Sequence, residues 1–180
     1  MALIQANWIK SQLEDTNDKI EFSIEIIKTT GDNITDVPLS KIGNIGLFTK
    51  ELENALIDKK VDLVVHSAKD MPTEIPEHLE IGAVTKREDP HDVLISKDHV
   101  SLKNLPQNAK LGTSSLRRRS QVLAVRPDLE IVDLRGNLDT RLNKLDSGDL
   151  DAILVARAGL IRLGLADKAS EIIPYDIMLP

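Results

Sequence analysis

The sequence predicts an α/β protein whose sheets are mixed and mostly parallel. Helical and extended segments alternate along the chain, and the core must be aliphatic because 41% of residues are hydrophobic but only 2% are aromatic. Strands that alternate with helices of about ten residues are typical of a mostly parallel sheet with helices on both faces. A length of 180 residues suits one domain or two small ones. We expect two units, joined near residues 85–95, with a cleft between them.

The first half of the chain begins with a predicted helix. The segment ALIQANWIKSQL places Leu3 and Ile9, among other apolar residues, at helical intervals. In EFSIEIIK the residues Phe22, Ile24 and Ile26 alternate, which predicts a strand. The segment TKELENALID predicts a helix with acids in its first turn, where the helix dipole favours them. The apolar run VDLVVHS predicts a buried strand, and LEIGAVT predicts another within a proline-rich stretch.

The second half continues the alternation. In chain order it predicts the strand DVLISK, the strand AKLGTSS, the helix LRRRSQVLAVR, the strand EIVDL, the helix LDTRLNKLDSG, the strand DAILVA and the helix AGLIRLGLADKAS. We therefore predict domain 1 at residues 1–88 and domain 2 at residues 91–180.

Composition excludes several classes of protein. No stretch approaches the roughly 20 apolar residues of a membrane span, and the start lacks the features of a signal peptide. The chain has no cysteine, which excludes disulfides, thiolate metal sites and a cysteine nucleophile. Its formal net charge of −6 argues against general nucleic-acid binding. We expect a cytoplasmic protein that binds no nucleic acid, membrane or metal.

Functional residues are expected at strand ends, because ligands of open α/β sheets bind beyond the carboxyl ends of the strands. The run VDLVVHSAKD ends with Ser67, Lys69 and Asp70, an acid beside a base. Hydroxyls and free amides at a helix N-terminus, combined with arginine side chains, form a site for carboxylate or phosphate. Asp70 would steady positive charge that develops on a substrate. The arginines that follow the later strand ends, and that predict a site for a ligand with many carboxylates, are Arg117, Arg118, Arg135 and Arg141, with Arg157 and Arg162 near another strand end.

Each of these features also has a purely structural interpretation. The two serines before the arginine helix are typical N-cap residues, and Asp70 before Met71 and Pro72 is typical of a turn. Neighbours on a helix are about 100° apart, so three successive arginines cannot all face one ligand. We therefore expect Arg119 and Lys144 to be surface residues. Only the combination of features favours an anion site.

Seven motifs together resemble those of one protein family. They occur in the same order as in that family and cover nearly the whole chain. They are TTGD at residues 29–32, PLSKIGNIGLFTKELE, DLVVHSAKDMPT, KREDPHDV, LGTSSLRR, DLRGNLDTRLNKL and AGLIRLGL. Together they resemble the porphobilinogen deaminase family, also called hydroxymethylbilane synthases, of tetrapyrrole and heme biosynthesis. The resemblance implies a transferase that joins four porphobilinogen molecules head to tail and releases ammonia each time. It also implies a dipyrromethane cofactor, and two domains like those of type II periplasmic binding proteins plus a small third domain.

The resemblance implies a role for each candidate residue. Every pyrrole of the substrate carries an acetate and a propionate, so the growing product is a polyanion that arginines would bind. Asp70 is implied as the catalytic acid, which contacts pyrrole N–H groups and stabilises the azafulvenium that forms as ammonia leaves. The implied cofactor-binding residues are Ser67, Lys69, Thr113, Ser115, Arg117 and Arg118. The implied substrate-binding residues are Gln5, Arg135, Arg141 and Arg162, and the implied loop or cleft residues are Lys41 and Phe48.

The chain also departs from the family pattern. No part of it matches the family's opening strand with its Arg-x-Ser motif or the third domain with the cofactor-bearing cysteine, and Ile45 replaces a residue that is commonly lysine. We expect domain 1 to be incomplete, domain 2 to be nearly complete, and the 180 residues to be inactive alone. The full-length protein is expected to be a monomer.

Two alternative functions compete with the enzyme. One is a non-catalytic, two-lobed module that binds a polycarboxylate, and the pairing of Lys69 with Asp70 favours the enzyme over it. The other is a nucleic-acid binder that uses the arginines at residues 117–119, which would call for aromatic stacking residues nearby. That region has none.

Overall fold

The computed structural model describes residues 1–29 and 49–180. The chain divides into two compact units, Ala2–Thr85 and Lys86–Pro180, the latter together with Met1. The predictions for Lys41, Ile45 and Phe48 lie outside the described residues.

The described part of the first unit, Ala2–Thr85, contains the two helices that the sequence predicts. Helix α1 spans Ala2–Thr16, and helix α2 spans Lys50–Ile57 with Glu51 and Glu53 in its first turn. A short 3₁₀ turn, Ala68–Asp70, follows later in the chain. No residue of α1 is fully buried, so the helix is only partly covered by the segments that it contacts.

The three strands predicted for the first unit are wrong. Within residues 2–29 and 49–85, neither EFSIEIIK, VDLVVHS nor LEIGAVT forms a strand. A strand needs a hydrogen-bonded neighbour, and an alternating sequence pattern does not supply one. Ile26, on the face where EFSIEIIK alternates, is 71% exposed, and Ile81 and Val84 of LEIGAVT are 56% and 84% exposed, so these side chains are not covered as they would be in a buried strand.

The second unit, Lys86–Pro180, is built on a five-stranded sheet. Its strands are β1 (Asp92–Ser96), β2 (Lys110–Gly112), β3 (Glu130–Val132), β4 (Ala152–Ala156) and β5 (Glu171–Ile172), in the order β3-β2-β4-β1-β5. Strand β2 pairs in parallel with β3 and β4, whereas β1 pairs antiparallel with β4 and β5. Only β1 therefore runs against the others, and the prediction of a mixed, mostly parallel sheet is confirmed. The short strand β5 was not predicted.

Helices follow three of the strands. Helix α3 spans Leu116–Val125, α4 spans Leu138–Asp146 and α5 spans Arg157–Arg162. Short 3₁₀ turns occur at Lys97–His99, Leu102–Asn104 and Ala166–Lys168. The last predicted helix is much shorter than expected because Gly164 adopts a positive φ of 67°, a conformation that ends helices.

The core of this unit lies on both faces of the sheet. Along β1 and β4 successive side chains point to opposite faces, so Leu94 and Leu154 join one apolar cluster while Val93 and Val155 join the other. Val122 of α3 packs in the first cluster. Leu142 and Leu145 of α4 and Leu160 of α5 pack in the second. Helices thus cover both faces, as predicted, and the parallel strands β2, β3 and β4 end at one common edge.

Candidate anion-binding site

The edge of the sheet where β2 ends carries a hydroxyl-rich turn that leads into α3. Thr113 is 2% exposed, and its backbone N–H donates to the Val132 carbonyl at 2.9 Å, which ties the turn to β3. Ser115 is the N-cap of α3, because its Oγ accepts from the Arg118 backbone N–H at 3.4 Å. A side chain at Gly112 would lie 2.8 Å from Leu150, so close packing requires glycine there. The N-cap interpretation of Ser115 is therefore confirmed.

Arg118 binds a buried carboxylate at the start of β1. Its Nε and Nη2 lie 2.9 and 2.7 Å from Oδ1 of Asp92, and its Nη1 donates to the Leu154 carbonyl at 3.2 Å. The Arg118 side chain is 12% exposed and that of Asp92 only 2%. The guanidinium is consequently held in one orientation against the sheet.

Arg117 contacts the other oxygen of the same carboxylate. Its Nη2 lies 2.7 Å from Asp92 Oδ2, an ion contact without hydrogen-bond geometry, and its Nη1 donates to the Leu179 carbonyl. The Arg117 side chain is 37% exposed, so it is held less firmly than Arg118. Sequence reasoning assigned no role to Asp92. The available signal was an acid directly before the apolar run at residues 93–95, a placement that requires a partner for the buried charge.

Arg141 lies on α4, beyond the end of β3. Asn137 caps this helix, with its Oδ1 accepting from the Thr140 backbone N–H at 2.8 Å. Arg141 Nε donates to the Gly136 carbonyl at 2.9 Å. Burial, and secondarily the positive charge of Arg118, lowers the pKa of Arg141. Arg118 and Arg141 are therefore close enough to repel each other.

The repulsion between Arg118 and Arg141 indicates a place where an anion would bind. Among the described residues, Arg141 forms no ion pair with a carboxylate, whereas Arg117 and Arg118 both do. A half-buried cation beside a second cation is the electrostatic arrangement that an added anion would relieve. Arg135 is also half-buried, two residues before Asn137.

The predicted residues of the first unit that the structure describes lie on a 3₁₀ turn, directly before it, or on helix α1. Lys69 and Asp70 are exposed on the turn Ala68–Asp70. Ser67 Oγ donates to Gln5 Oε1 at 2.9 Å, so the structure brings these two predicted residues together. Sequence reasoning gave no role to His66. Burial lowers the pKa of His66, while Asp70 and Glu53 act to raise it, which places Asp70 within electrostatic range of an imidazole.

Other arginines of the second unit are placed differently. Arg157 Nη1 lies 2.8 Å from Asp89 Oδ2, so its charge is already paired. Arg162 ends α5 and is half-buried. Arg119 and Lys144 are exposed, as predicted. The residues of the second unit that the structure brings to this region are thus Thr113, Ser115, Arg117, Arg118 and Arg141, with Asp92 behind them.

The described residues also bear on two other kinds of site. No group of three or more acidic or histidine side chains there is arranged to hold a metal ion. In the same part of the chain, no helix has the length and apolarity to cross a membrane.

Comparisons with known proteins give one consistent family. The sequence model described as "Porphobilinogen deaminase, dipyromethane cofactor binding domain" matches residues 1–180. Porphobilinogen deaminases of Chlorobaculum tepidum and Geotalea uraniireducens are 53% and 51% identical over all 180 residues. The chain spans 58% and 56% of the lengths of these two relatives.

A comparison of structures adds no argument about the fold. A Bacillus subtilis lipoprotein assigned as methionine-binding aligns with a TM-score of 0.37 and 16% identity, over 47% of this chain and 45% of that one. That score is too low to indicate a shared fold. The sequence relatives decide the assignment: because the family model covers every residue and identity exceeds half, the chain belongs to the porphobilinogen deaminase family.

Proposed function

We propose that this chain acts in tetrapyrrole biosynthesis as part of a hydroxymethylbilane synthase, which condenses four porphobilinogen molecules head to tail. The single observation that carries the proposal is the pair of neighbouring cations, Arg118 and Arg141, beside the N-terminus of α3. Only one of the two has a carboxylate partner among the described residues. Porphobilinogen carries an acetate and a propionate, which are the groups that such a pair of cations would bind.

The proposed reaction breaks one bond and forms another in each round. The C–N bond of the aminomethyl group, protonated as an ammonium, breaks, ammonia leaves with the electron pair, and a cationic azafulvenium remains. Its methylene carbon then bonds to the free α-carbon of the terminal pyrrole, which afterwards loses its proton. Asp70 is the proposed catalytic residue because a fixed carboxylate stabilises the cation as it forms. Its exposed position on the turn Ala68–Asp70 supports access to a ligand.

The donor set of the second unit suits a dipyrromethane cofactor. Thr113 and Ser115 offer hydroxyls, and the Arg118 guanidinium donates only two of its five N–H groups in hydrogen bonds to the described residues. With Arg117 and Arg141, these residues would bind the carboxylates of the cofactor. When bound, dipyrromethane primes the growing chain. The thioether that attaches it in the family needs a cysteine, and these 180 residues contain none.

The remaining residue roles are part of the same proposal. Ser67 and Lys69 are assigned to the cofactor, and Gln5, Arg135 and Arg162 to the substrate. We further propose the two-domain architecture of type II periplasmic binding proteins, with domain 1 at residues 1–88 and domain 2 at residues 91–180. The reversal of β1 within an otherwise parallel sheet supports this architecture, as does the division of the chain between Thr85 and Lys86.

The two alternative functions have less support. The relatives are deaminases, which does not favour a non-catalytic polycarboxylate module. The structure weakens the hypothesis that the arginine run binds nucleic acid. Arg117 and Arg118 share the buried carboxylate of Asp92 instead of forming a free basic patch.

Calorimetric titration of the chain with porphobilinogen tests the proposal. We expect weak binding that declines as salt is raised, because screening weakens contacts between charges. Replacing Arg141 with leucine should weaken binding by about tenfold, the scale of one charge-assisted hydrogen bond. The matched control is Arg119→Ala, at an exposed position, and this variant should bind porphobilinogen with the affinity of the unmodified chain. Equal affinities for the Arg141→Leu and Arg119→Ala variants would contradict the assignment of the site.

A further inference from the structure

We infer that Asp92 is a positioning residue of the anion site: it orients Arg118 and Arg117 for carboxylate binding without contacting the ligand itself. The inference rests on the proposed function, because it assumes that these arginines bind substrate or cofactor carboxylates. Asp92 is a residue to which the sequence analysis assigned no role.

Asp92 is a rigid support for the arginines. It is the first residue of β1, opposite Ala156 of β4, and its carbonyl accepts from the Ile173 backbone N–H at 2.9 Å. Neighbouring segments thus hold its backbone on both sides. Its side chain is 2% exposed, and a carboxylate this deeply buried must be paired. The two arginines supply that pairing.

The geometry of Arg118 shows what the pairing achieves. Its Nε–H donates to Asp92 Oδ1 and its Nη1–H to the Leu154 carbonyl, while Nη2 lies 2.7 Å from the same Asp92 oxygen, and these contacts fix the plane of the guanidinium. The N–H groups that make neither of these two hydrogen bonds remain for a ligand. An arginine fixed in this way loses little further freedom when a carboxylate binds, and binding sites gain affinity from such preorganisation.

Asp92 also has a second effect on ligand affinity, which opposes the first. By Coulomb's law alone, a carboxylate beside an anion site repels the ligand, so its removal should tighten binding. If positioning dominates, removal should weaken binding instead. The two interpretations therefore predict changes of opposite direction, and affinity separates them.

The experiment replaces Asp92 with asparagine, which removes the charge at nearly constant volume, and titrates the chain with porphobilinogen in a calorimeter. We expect the dissociation constant to rise about tenfold, the lower end of what losing an orienting partner costs at other sites. The matched control is Asp128→Asn, which removes a carboxylate paired with Arg126 at 2.7 Å in the same unit. The control should bind within about twofold of the unmodified chain, the range for sites that share no partner.

Equal or tighter binding by the Asp92→Asn variant would overturn the inference and leave the proposed function intact. An unmodified chain that does not bind porphobilinogen would overturn both. These two failures are therefore distinguishable.

A measurement on the unmodified chain keeps the inference testable if Asp92→Asn does not fold. Nitrogen-15 NMR reports the exchange of arginine Nε–H protons with water. We expect slow exchange at Arg118, whose Nε donates to Asp92 at 2.9 Å, both before and after porphobilinogen is added. Arg119, exposed on the same helix, is the internal control and should exchange rapidly. Exchange at Arg118 as fast as at Arg119 would show that Asp92 does not hold the guanidinium.

Discussion

Replacement of Arg118 with leucine tests how far the buried ion pair stabilises the second unit. Leucine retains part of the apolar stem but removes the guanidinium, and with it the hydrogen bonds to Asp92 and to the Leu154 carbonyl. Asp92 would remain buried, with only Arg117 in contact, through Oδ2. The sequence alone suggested only that the arginines bind a ligand. The structure predicts a substantial loss of stability.

The magnitude follows from burial. Removing one partner of a buried ion pair costs about 3–5 kcal/mol, because the other charge is left in a medium of low dielectric constant. Both side chains are buried here, at 12% and 2% exposure, so the full range applies without a discount for solvent screening. Arg117 remains 2.7 Å from Oδ2 and compensates in part. We therefore expect a decrease of about 3 kcal/mol in the free energy of unfolding.

Urea unfolding followed by far-ultraviolet circular dichroism measures this change. The control Arg119→Ala should alter the free energy of unfolding by no more than about 0.5 kcal/mol, as surface replacements generally do. The double variant Asp92→Leu with Arg118→Leu should be more stable than Arg118→Leu alone, because no buried charge then lacks its partner. A loss below about 1 kcal/mol for Arg118→Leu would refute the reasoning, since an exposed pair costs no more than that.

Two further predictions concern aspartates outside this pair. Asp70→Asn should lower turnover by about a hundredfold or more with porphobilinogen affinity nearly unchanged, because the lost charge acts on the cation formed during reaction. The assay is hydroxymethylbilane formation by a chimera in which this chain replaces the matching 180 residues of the Chlorobaculum tepidum relative, and near-normal turnover would remove Asp70 from the mechanism. Arg126 lowers the pKa of Asp128 to about 2, so the stability that this pair contributes is complete above about pH 4 and is lost as the pH falls towards the folded-state value. Urea midpoints between pH 5 and pH 2 should therefore fall less steeply for Asp128→Asn than for the unmodified chain, and parallel curves would contradict the assignment.

The helices were predictable because their signals are local. Acids in the first turn marked α2, and Ser115, immediately before the first helical residue, marked the beginning of α3. Each of these signals lies within a few residues of the helix it defines. The exception is α5, where Gly164 ends the helix, although the sequence analysis predicted a helix over the whole segment AGLIRLGLADKAS.

The failures involve partners that are distant in the chain. An alternating pattern predicted a strand at EFSIEIIK, but strand formation depends on a second segment, which the pattern does not identify. Asp92 is the clearest case within the site. It lies 26 residues before Arg118, and nothing near either residue indicates that one binds the other. Strand ends were predictable as locations, whereas the pairing of charges across them was not.

The placement of Asp92 also bears on how an acidic chain would bind a polyanion. The formal net charge is −6, yet Arg117 and Arg118 share the single carboxylate of Asp92, and the neighbouring Arg141 pairs with no carboxylate among the described residues, so positive charge is in excess there. At physiological salt, exposed charges more than about 8 Å away are largely screened, so distant surface acids contribute little at this edge of the sheet. A fourth arginine in place of Asp92 would increase the positive charge, but four guanidinium groups would repel one another without a fixed orientation. The buried carboxylate of Asp92 therefore lowers the positive potential of the site, but it fixes the orientation of the guanidinium groups that would bind the anion.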